Sequence, residues 1–215
     1  YKAQREETPE AIRLSVPIIK EIIRAYRIPI LEVAGYEADD VIGTLATEAG
    51  RQGIITYMMT PDKDYGQLVS DKVFMYRPKH TGGFEVMGVD EVKAKFDIQS
   101  PAQVIDMLGL MGDSSDNIPG CPGVGEKTAQ KLIAEFGSIE NLLEHTDQLK
   151  GALKTKVETN REMITFSKFL ATIKIDVPIQ LDMDSLVREQ ADEDSLRQIF
   201  EEQEFRTLID RVLKK

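Results

Sequence analysis

The feature that most restricts the fold is an alternation of strand-like and helix-like segments over the first 77 residues. Short apolar runs at 30–34, 54–60 and 72–77 are separated by a segment of helical spacing at 39–51. The run at 54–60 is rich in β-branched and aromatic residues, which is typical of a buried strand. Such an alternation predicts an α/β fold, with a parallel sheet and helices on its faces.

The sequence on either side of this core adds helices. Thr8-Pro9-Glu10 predicts a helix start, with Thr8 as the N-cap and Pro9 in the first helical position, and Pro17 is expected to kink that helix. Residues 84–87 are expected to return as the second strand of a hairpin. Further helices are predicted at 89–96, 101–111, 127–136, 139–145, 149–157 and 161–170, followed by a late strand at 171–175 and an amphipathic helix around Leu196, Ile199 and Phe200.

This pattern predicts two domains. Residues 1–97 are expected to form the α/β core, and residues 98–215 a mostly helical part. The single cysteine, Cys121, excludes an internal disulfide and fits a reducing compartment. No apolar run reaches the roughly 18 residues that a membrane span needs, so we expect no membrane partner.

The net charge of −10 is unevenly distributed. Residues 182–204 carry nine acids against two arginines, and seven further acids form the clusters described next. The rest of the chain is net positive. The overall acidity therefore does not exclude a basic surface that faces DNA.

Three acidic clusters stand close to the ends of predicted elements. They are Glu37, Asp39 and Asp40 in "GYEADD", Asp62 and Asp64 in "TPDKD", and Asp113 and Asp116 in "GDSSDN". The first two clusters would lie at the carboxyl ends of strands, where open α/β sheets bind ligands. The third could close the same crevice from the helical side.

Each cluster alone has an ordinary explanation, since acids often cap helices and complement the helix dipole. Seven acids gathered together would repel one another without a cation. Oxygen ligands without a nearby His or Cys favour a hard ion, Mg²⁺ or Mn²⁺. Two such ions suit phosphodiester hydrolysis. The sequence therefore favours a metal site over a set of caps.

A glycine-rich turn before a helix is the second candidate site. The stretch "IPGCPGVGEKTAQKLI" at 118–133 contains the turn Gly123-Val124-Gly125, and Glu126 or Lys127 opens the following helix. Glycines let backbone amides approach a ligand closely, and a helix N-terminus attracts phosphate. Lys127, Thr128 and Lys131 are placed for phosphate contacts. We interpret the stretch as a helix-hairpin-helix that binds the DNA backbone; a plain helical hairpin is the alternative.

The order of these motifs resembles the 5′-nuclease domains of bacterial DNA polymerases I, which belong to the flap endonuclease family. The resemblance is carried by "YKAQR" at 1–5, "GYEADD" at 35–40, "TPDKD" at 60–64, "GDSSDNIPG" at 112–120 and "GVGEKTA" at 123–129. It covers nearly the whole chain. Pro61 departs from the alanine that is more usual in the family.

The resemblance implies a flap-endonuclease-like fold and a metal-dependent 5′-3′ exonuclease that removes primers and repairs DNA. It implies that all seven acids are direct or water-mediated metal ligands, and that Lys2 and Arg5 contact the substrate phosphate near the cleavage site. Further implied partners are DNA with a 5′ flap, nick or branch, K⁺ at the hairpin, and the polymerase part of a longer chain. We expect a cytoplasmic protein associated with the bacterial nucleoid.

The resemblance also implies that a first strand and two upstream aspartates of the family precede residue 1, which is Tyr. We therefore expect this chain to be a piece of a longer protein, with an incomplete metal site and negligible nuclease activity by itself. Two other functions stay open: a non-catalytic duplex-DNA-binding module, and a phosphatase of small phosphoesters. A duplex clamp argues against the phosphatase.

Overall fold

The computed structural model describes residues 7–79 and 81–213. Lys2 and Arg5 lie outside these ranges. The described chain divides into two compact units: one spans residues 33–179, and the other combines 7–32 with 180–213. The domain boundary predicted between residues 97 and 98 falls inside the first unit and stays a prediction.

The α-helices are α1 (Glu10–Ala25), α2 (Ala38–Arg51), α3 (Val89–Phe96), α4 (Val104–Met111), α5 (Glu126–Phe136), α6 (Ile139–Glu144), α7 (Gly151–Thr159), α8 (Arg161–Ala171), α9 (Glu193–Glu202) and α10 (Arg206–Val212). Short 3₁₀ helices cover Lys63–Leu68, Pro101–Gln103 and Thr146–Gln148. Most of the predicted helices are therefore confirmed to within a few residues. No helix of the described ranges combines the length and apolar character that a membrane span requires.

The sheet of the first unit contains both the predicted parallel pair and the predicted hairpin. Its described strands are β1 (Thr56–Met59), β2 (Val73–Pro78) and β3 (Phe84–Met87), in the order β1-β2-β3. β1 and β2 are parallel, and β2 and β3 form the expected antiparallel hairpin. The parallel pair and the helices around it confirm the predicted α/β class.

The core of the first unit lies between this sheet and the helices that follow it. Buried side chains of β1 and β2, such as Met58, Val73 and Met75, belong to the same apolar cluster as Met107 and Ile164 of α4 and α8. The sheet and the helical region thus share one core. This continuity fixes the loops at the ends of the strands relative to α4 and α8.

The second unit has a smaller core of its own. Helices α1, α9 and α10 pack around Ala25, Leu196 and Phe200, which are buried. The backbone amide of Asp192 donates to the carbonyl of Ala25, and Arg27 forms an ion pair with Glu189 at 2.7 Å. The amphipathic helix predicted around Leu196 is confirmed as α9.

Two predicted strands are wrong. Residues 30–34 and 171–175 form no strand in the structure. β propensity expresses the fit of a side chain to a sheet surface, and neither segment pairs with the β1-β2-β3 ladder. The segment at 171–175 instead hydrogen-bonds to side chains, as described below.

Two local expectations also need correction. The run at 54–60 gives only the four-residue strand β1, and its pattern is alternating: Met58 is buried, whereas Tyr57 and Met59 are 56% and 71% exposed. The N-cap of α1 is Pro9 rather than Thr8, and the helix continues through Pro17. Pro17 removes the backbone donor to the carbonyl of Arg13, and because α1 is largely exposed that carbonyl can face solvent.

Candidate functional site

Five of the seven predicted acids line one cavity of about 170 Å³ in the first unit. They are Glu37, Asp39, Asp40, Asp64 and Asp116. Ile118 and the segment 169–174 form the rest of the lining. The structure thus brings acids from all three sequence clusters to one place. Lys174, which also lines the cavity, lies 134 residues from Asp40 along the chain.

The first cluster lies at the N-terminus of α2 rather than after a strand. Glu37 is the N-cap, and its backbone amide lies 3.3 Å from Asp40 Oδ2. Asp39 Oδ1 accepts a hydrogen bond of 2.9 Å from the hydroxyl of Tyr65. Burial, followed by the negative charge of Asp39, raises the pKa of Tyr65, so its hydroxyl stays protonated and donates. The helix dipole favours negative charge at this position.

The second cluster is held by a tight local turn. Asp62 caps the 3₁₀ helix that begins at Lys63, and its Oδ1 accepts from the amide of Asp64 at 3.0 Å. Asp64 itself is buried. Burial raises the pKa of Asp64 to about 6; Lys63 opposes this rise, whereas Asp62 and Asp113 add to it. These three carboxylates are therefore close enough to repel one another.

The third cluster sits in a loop closed by two glycines. Asp113 and Ile118 exchange backbone hydrogen bonds of 2.9 and 2.8 Å, which brings Gly112 and Gly120 together. A Cβ atom on Gly120 would lie 2.3 Å from the backbone nitrogen of Gly112, and both glycines have positive φ. Only glycine fits this crossing. The crossing fixes where the Asp113 side chain points.

Lys63 forms ion pairs with two acids of this region. Its ammonium donates a hydrogen bond to Asp113 Oδ2 and lies 3.3 Å from Asp64 Oδ1. Burial acts to lower the pKa of Lys63, but the two carboxylates outweigh it and the pKa is raised. Burial likewise acts to raise the pKa of Asp113, yet the hydrogen bonds from Lys63 and Ser115 lower it overall.

The acids offer the type of oxygen ligand that a divalent cation prefers, but their side chains are not arranged around a common metal position. All the donors are carboxylate oxygens, the type that Mg²⁺ and Mn²⁺ prefer. Asp64 Oδ1 is buried and makes no hydrogen bond within the described chain. However, no three Asp, Glu, His or Cys side chains of the described residues form a group that could hold a metal ion. Asp64 Oδ1 lies 3.3 Å from the Lys63 ammonium, so a metal ion that coordinated it would require side chains to move.

The segment at 171–177 is fastened beside the acids by side chains. Gln67 donates to the carbonyl of Ala171 and accepts from the amide of Ile173, both at 2.9 Å. The amide of Lys174 donates to Asp40 Oδ1 at 2.9 Å, and that of Val177 to the hydroxyl of Thr44 at 3.2 Å. This segment therefore forms a fixed wall of the cavity.

The glycine-rich turn lies at the start of α5 in the same unit. Gly125 is the N-cap of α5, and Gly123 has a φ of +78°. Lys127 and Lys131 are exposed, Thr128 is half-buried, and Val124 is buried, so Val124 packs in the core and only its backbone could reach a ligand. Ala129, Leu132 and Ile133 bury the opposite side of α5. The helix thus presents its two lysines outward.

Family descriptions match almost all of this chain. Residues 1–97 match the 5′-3′ exonuclease N-terminal resolvase-like domain, and residues 99–194 match the 5′-3′ exonuclease C-terminal SAM fold. The chain belongs to the 5′-3′ exonuclease family. This chain is 42% identical to DNA polymerase I of Bacillus subtilis and 40% identical to that of Bacillus caldotenax, and both alignments cover 99% of this chain. It spans 24% of each of these two relatives.

Solved structures agree on the fold of this 5′-3′ exonuclease chain. T5 5′-exonuclease with bound zinc aligns with a TM-score of 0.63 at 22% identity, over 94% of this chain and 72% of that one. The catalytic core of Rad2 in complex with DNA substrate gives a TM-score of 0.63 at 18% identity, over 94% and 67% of the two chains. At these identities the alignments establish a shared fold.

Three contributors to the acidic site were missed by sequence reasoning. Lys63 is one of them, although its position between Asp62 and Asp64 in the sequence is a signal. Tyr65 and Gln67 carry no such signal, because their partners, Asp39 and the segment 171–173, are distant in sequence. Their roles become visible only in the folded chain.

Proposed function

We propose that this chain is the 5′-nuclease part of a bacterial DNA polymerase I, and that it hydrolyses phosphodiester bonds near DNA 5′ ends and flaps. The observation that carries the proposal is the cavity lined by acids from the first two clusters and Asp116, in the same unit as the glycine turn and its exposed lysines. The relatives, named as DNA polymerase I and as 5′-exonuclease, support the same reaction.

The seven acids are the proposed ligands of two divalent ions, Mg²⁺ or Mn²⁺. When bound, such ions stabilise the developing charge of a phosphodiester reaction and lower the pKa of water. The chain's own contribution is to hold the carboxylates: α2 presents Asp39, the 3₁₀ turn presents Asp64, and the glycine crossing presents Asp113. The structure of T5 5′-exonuclease with bound divalent metal ions (zinc) supports this assignment.

The helix-hairpin-helix is the proposed contact to duplex DNA. The backbone at Gly123, Val124 and Gly125 would approach one phosphate, and Lys127, Thr128 and Lys131 would contact the same strand. K⁺ at the carbonyls of the turn is part of this proposal. Lys2 and Arg5 are proposed to contact the phosphate at the cleavage site.

The proposed partners are DNA with a 5′ flap, nick or branch, and the polymerase part of the same polypeptide. The proposed setting is the bacterial cytoplasm, at the nucleoid. DNA complexes of T5 flap endonuclease and Rad2 support the choice of substrate.

A non-catalytic duplex-binding module is the second candidate. One observation favours it: the described acids do not form a group that could hold a metal as they stand. The module would use the glycine turn and its lysines, and the acids would only cap and stabilise their elements.

Cleavage of a 5′-labelled flap duplex in Mg²⁺ and in EDTA separates the two candidates. It is measured for the chain alone and within the longer polymerase that the proposal assigns to it. We expect Mg²⁺-dependent cleavage by the polymerase, lost in Asp64→Asn and kept in Asp71→Asn, an exposed acid away from the cavity. Tight duplex binding without any cleavage would support the module instead.

A further inference from the structure

The ammonium of Lys63 lies where the acidic region most needs positive charge. It donates to Asp113 Oδ2 and approaches Asp64 Oδ1 to 3.3 Å, and so joins two clusters that are about 50 residues apart. The Asp113 and Asp64 side chains are only 7% and 12% exposed, whereas Lys63 is 36% exposed. The carboxylates are thus fixed and buried, and the lysine is the partner that has access to solvent.

One lysine does not satisfy this region. Asp62, Asp64 and Asp113 lie here, and Lys63 is the only cation of the described residues that forms an ion pair with any of the three. Asp64 Oδ1 is buried, has no hydrogen-bond partner in the described chain, and lies 3.3 Å from the Lys63 ammonium in an ion pair. A buried carboxylate oxygen without a donor is costly, and a cation that coordinates it would remove that cost.

We propose that Lys63 is a built-in counter-cation of the metal-free site, and that a divalent ion displaces its ammonium from Asp64 and Asp113. The inference rests on the proposed function, because it concerns the same carboxylates. Both cations need the same oxygens, so binding of one excludes the other. Lys63 therefore keeps the acids together before metal binds and lowers the apparent metal affinity. The flexible four-carbon stem and the partial exposure of Lys63 allow the ammonium to leave without unfolding the turn.

The direction in which one substitution changes the Mn²⁺ affinity tests this competition. We expect Lys63→Met to bind Mn²⁺ roughly fivefold or more tightly than the wild-type chain, as followed by the EPR signal of free Mn²⁺. Lys72→Met is the control, because it removes the same charge from a half-buried lysine that forms no ion pair in the described chain. It should leave Mn²⁺ affinity within about twofold. Unchanged or weaker Mn²⁺ binding by Lys63→Met, in a variant that keeps its circular dichroism, would overturn the proposal.

A measurement on the wild-type chain does not depend on the variant. Reductive methylation followed by mass spectrometry reports how accessible each lysine is. Displacement predicts that Mg²⁺ raises the methylation rate of Lys63 several-fold and leaves that of Lys72 unchanged. A Lys63 rate that Mg²⁺ leaves unchanged contradicts the inference. If neither the wild-type chain nor Lys63→Met binds Mn²⁺ at all, the metal site of the proposed function and this inference both fail. If both bind Mn²⁺ with the same affinity, only this inference fails.

Discussion

Asp40 accepts the backbone amide of Lys174 at 2.9 Å, a contact that ties the N-terminus of α2 to the segment after α8. The other oxygen of Asp40 lies 3.3 Å from the amide of Glu37. Asp40 is therefore placed to hold two backbone segments together, whatever its part in metal binding. Its position explains why an acid that lines the cavity should also contribute to stability.

We expect Asp40→Ala to lower the free energy of unfolding by about 1–3 kcal/mol, because it leaves the Lys174 amide without its acceptor. Asp40→Asn keeps an acceptor oxygen and should cost less. Urea denaturation followed by circular dichroism measures both variants. Equal losses in the two variants would mean that the charge of Asp40, and not the hydrogen bond, is what stabilises the segment.

Lys168 forms a second long-range contact, away from the cavity. Its ammonium lies 2.6 Å from Asp106 Oδ1 and 2.7 Å from Glu140 Oε2, and Asp106 also accepts the amide of Ile139. Burial raises the pKa of Asp106 despite these donors, whereas the carboxylates outweigh burial and raise the pKa of Lys168. The raised pKa of Asp106 favours its neutral form, whereas the raised pKa of Lys168 favours its charged form. The distance of 2.6 Å between the two side chains indicates that both are ionised at neutral pH.

Lys168→Met should lower the free energy of unfolding by about 3 kcal/mol at pH 7, since it leaves Asp106 as an unpaired buried carboxylate. In this variant the pKa of Asp106 should rise further. A group whose pKa is raised in the folded state stabilises the fold at low pH, and that stabilisation is lost as pH rises through the folded-state pKa. The difference in unfolding free energy between the variant and the wild type should therefore shrink from pH 7 towards pH 4. Glu140 is largely exposed, and Glu140→Gln should cost under about 1 kcal/mol. A deficit that is constant with pH would show that lost packing, not the buried charge, is responsible.

The salt dependence of DNA binding tests the glycine-turn clamp. Replacing Lys127 and Lys131 with Ala should weaken duplex binding equally for all sequences, and should reduce the slope of log K against log salt by about 2. Both lysines are exposed on α5, so the fold should be unaffected. Fluorescence anisotropy between 50 and 200 mM salt, roughly the range in which such slopes are measured, provides the readout. A changed sequence preference with an unchanged slope would contradict contacts to the backbone.

The sequence predicted this architecture where the signal is local. β2, the β2–β3 hairpin and α2 follow directly from apolar periodicity and caps. The segments 30–34 and 171–175 look equally strand-like, but whether a strand forms depends on an available ladder partner. The acids were identified by their motifs, yet the strand-end argument does not apply to Glu37 and Asp39, which lie at a helix N-terminus without a preceding strand. Contacts such as Lys63 to Asp113 join residues with no shared periodicity, so only the fold shows them.

Asp39→Asn separates chemistry from binding and from stability. The substituted amide keeps an oxygen that can accept from Tyr65, so the free energy of unfolding should change by less than about 0.5 kcal/mol. Under the proposed function the lost charge weakens metal binding, and flap cleavage by the full polymerase should fall by at least about a hundredfold. DNA affinity should be equal or higher, because one negative charge no longer repels phosphate. Anisotropy and single-turnover cleavage on the same flap substrate measure the two effects.

Tyr65→Phe serves as the matched control: it removes the hydrogen bond but keeps the carboxylate charge, and should retain most of the cleavage. If Asp39→Asn instead lost DNA binding and kept its turnover of bound flap, Asp39 would not be a metal ligand.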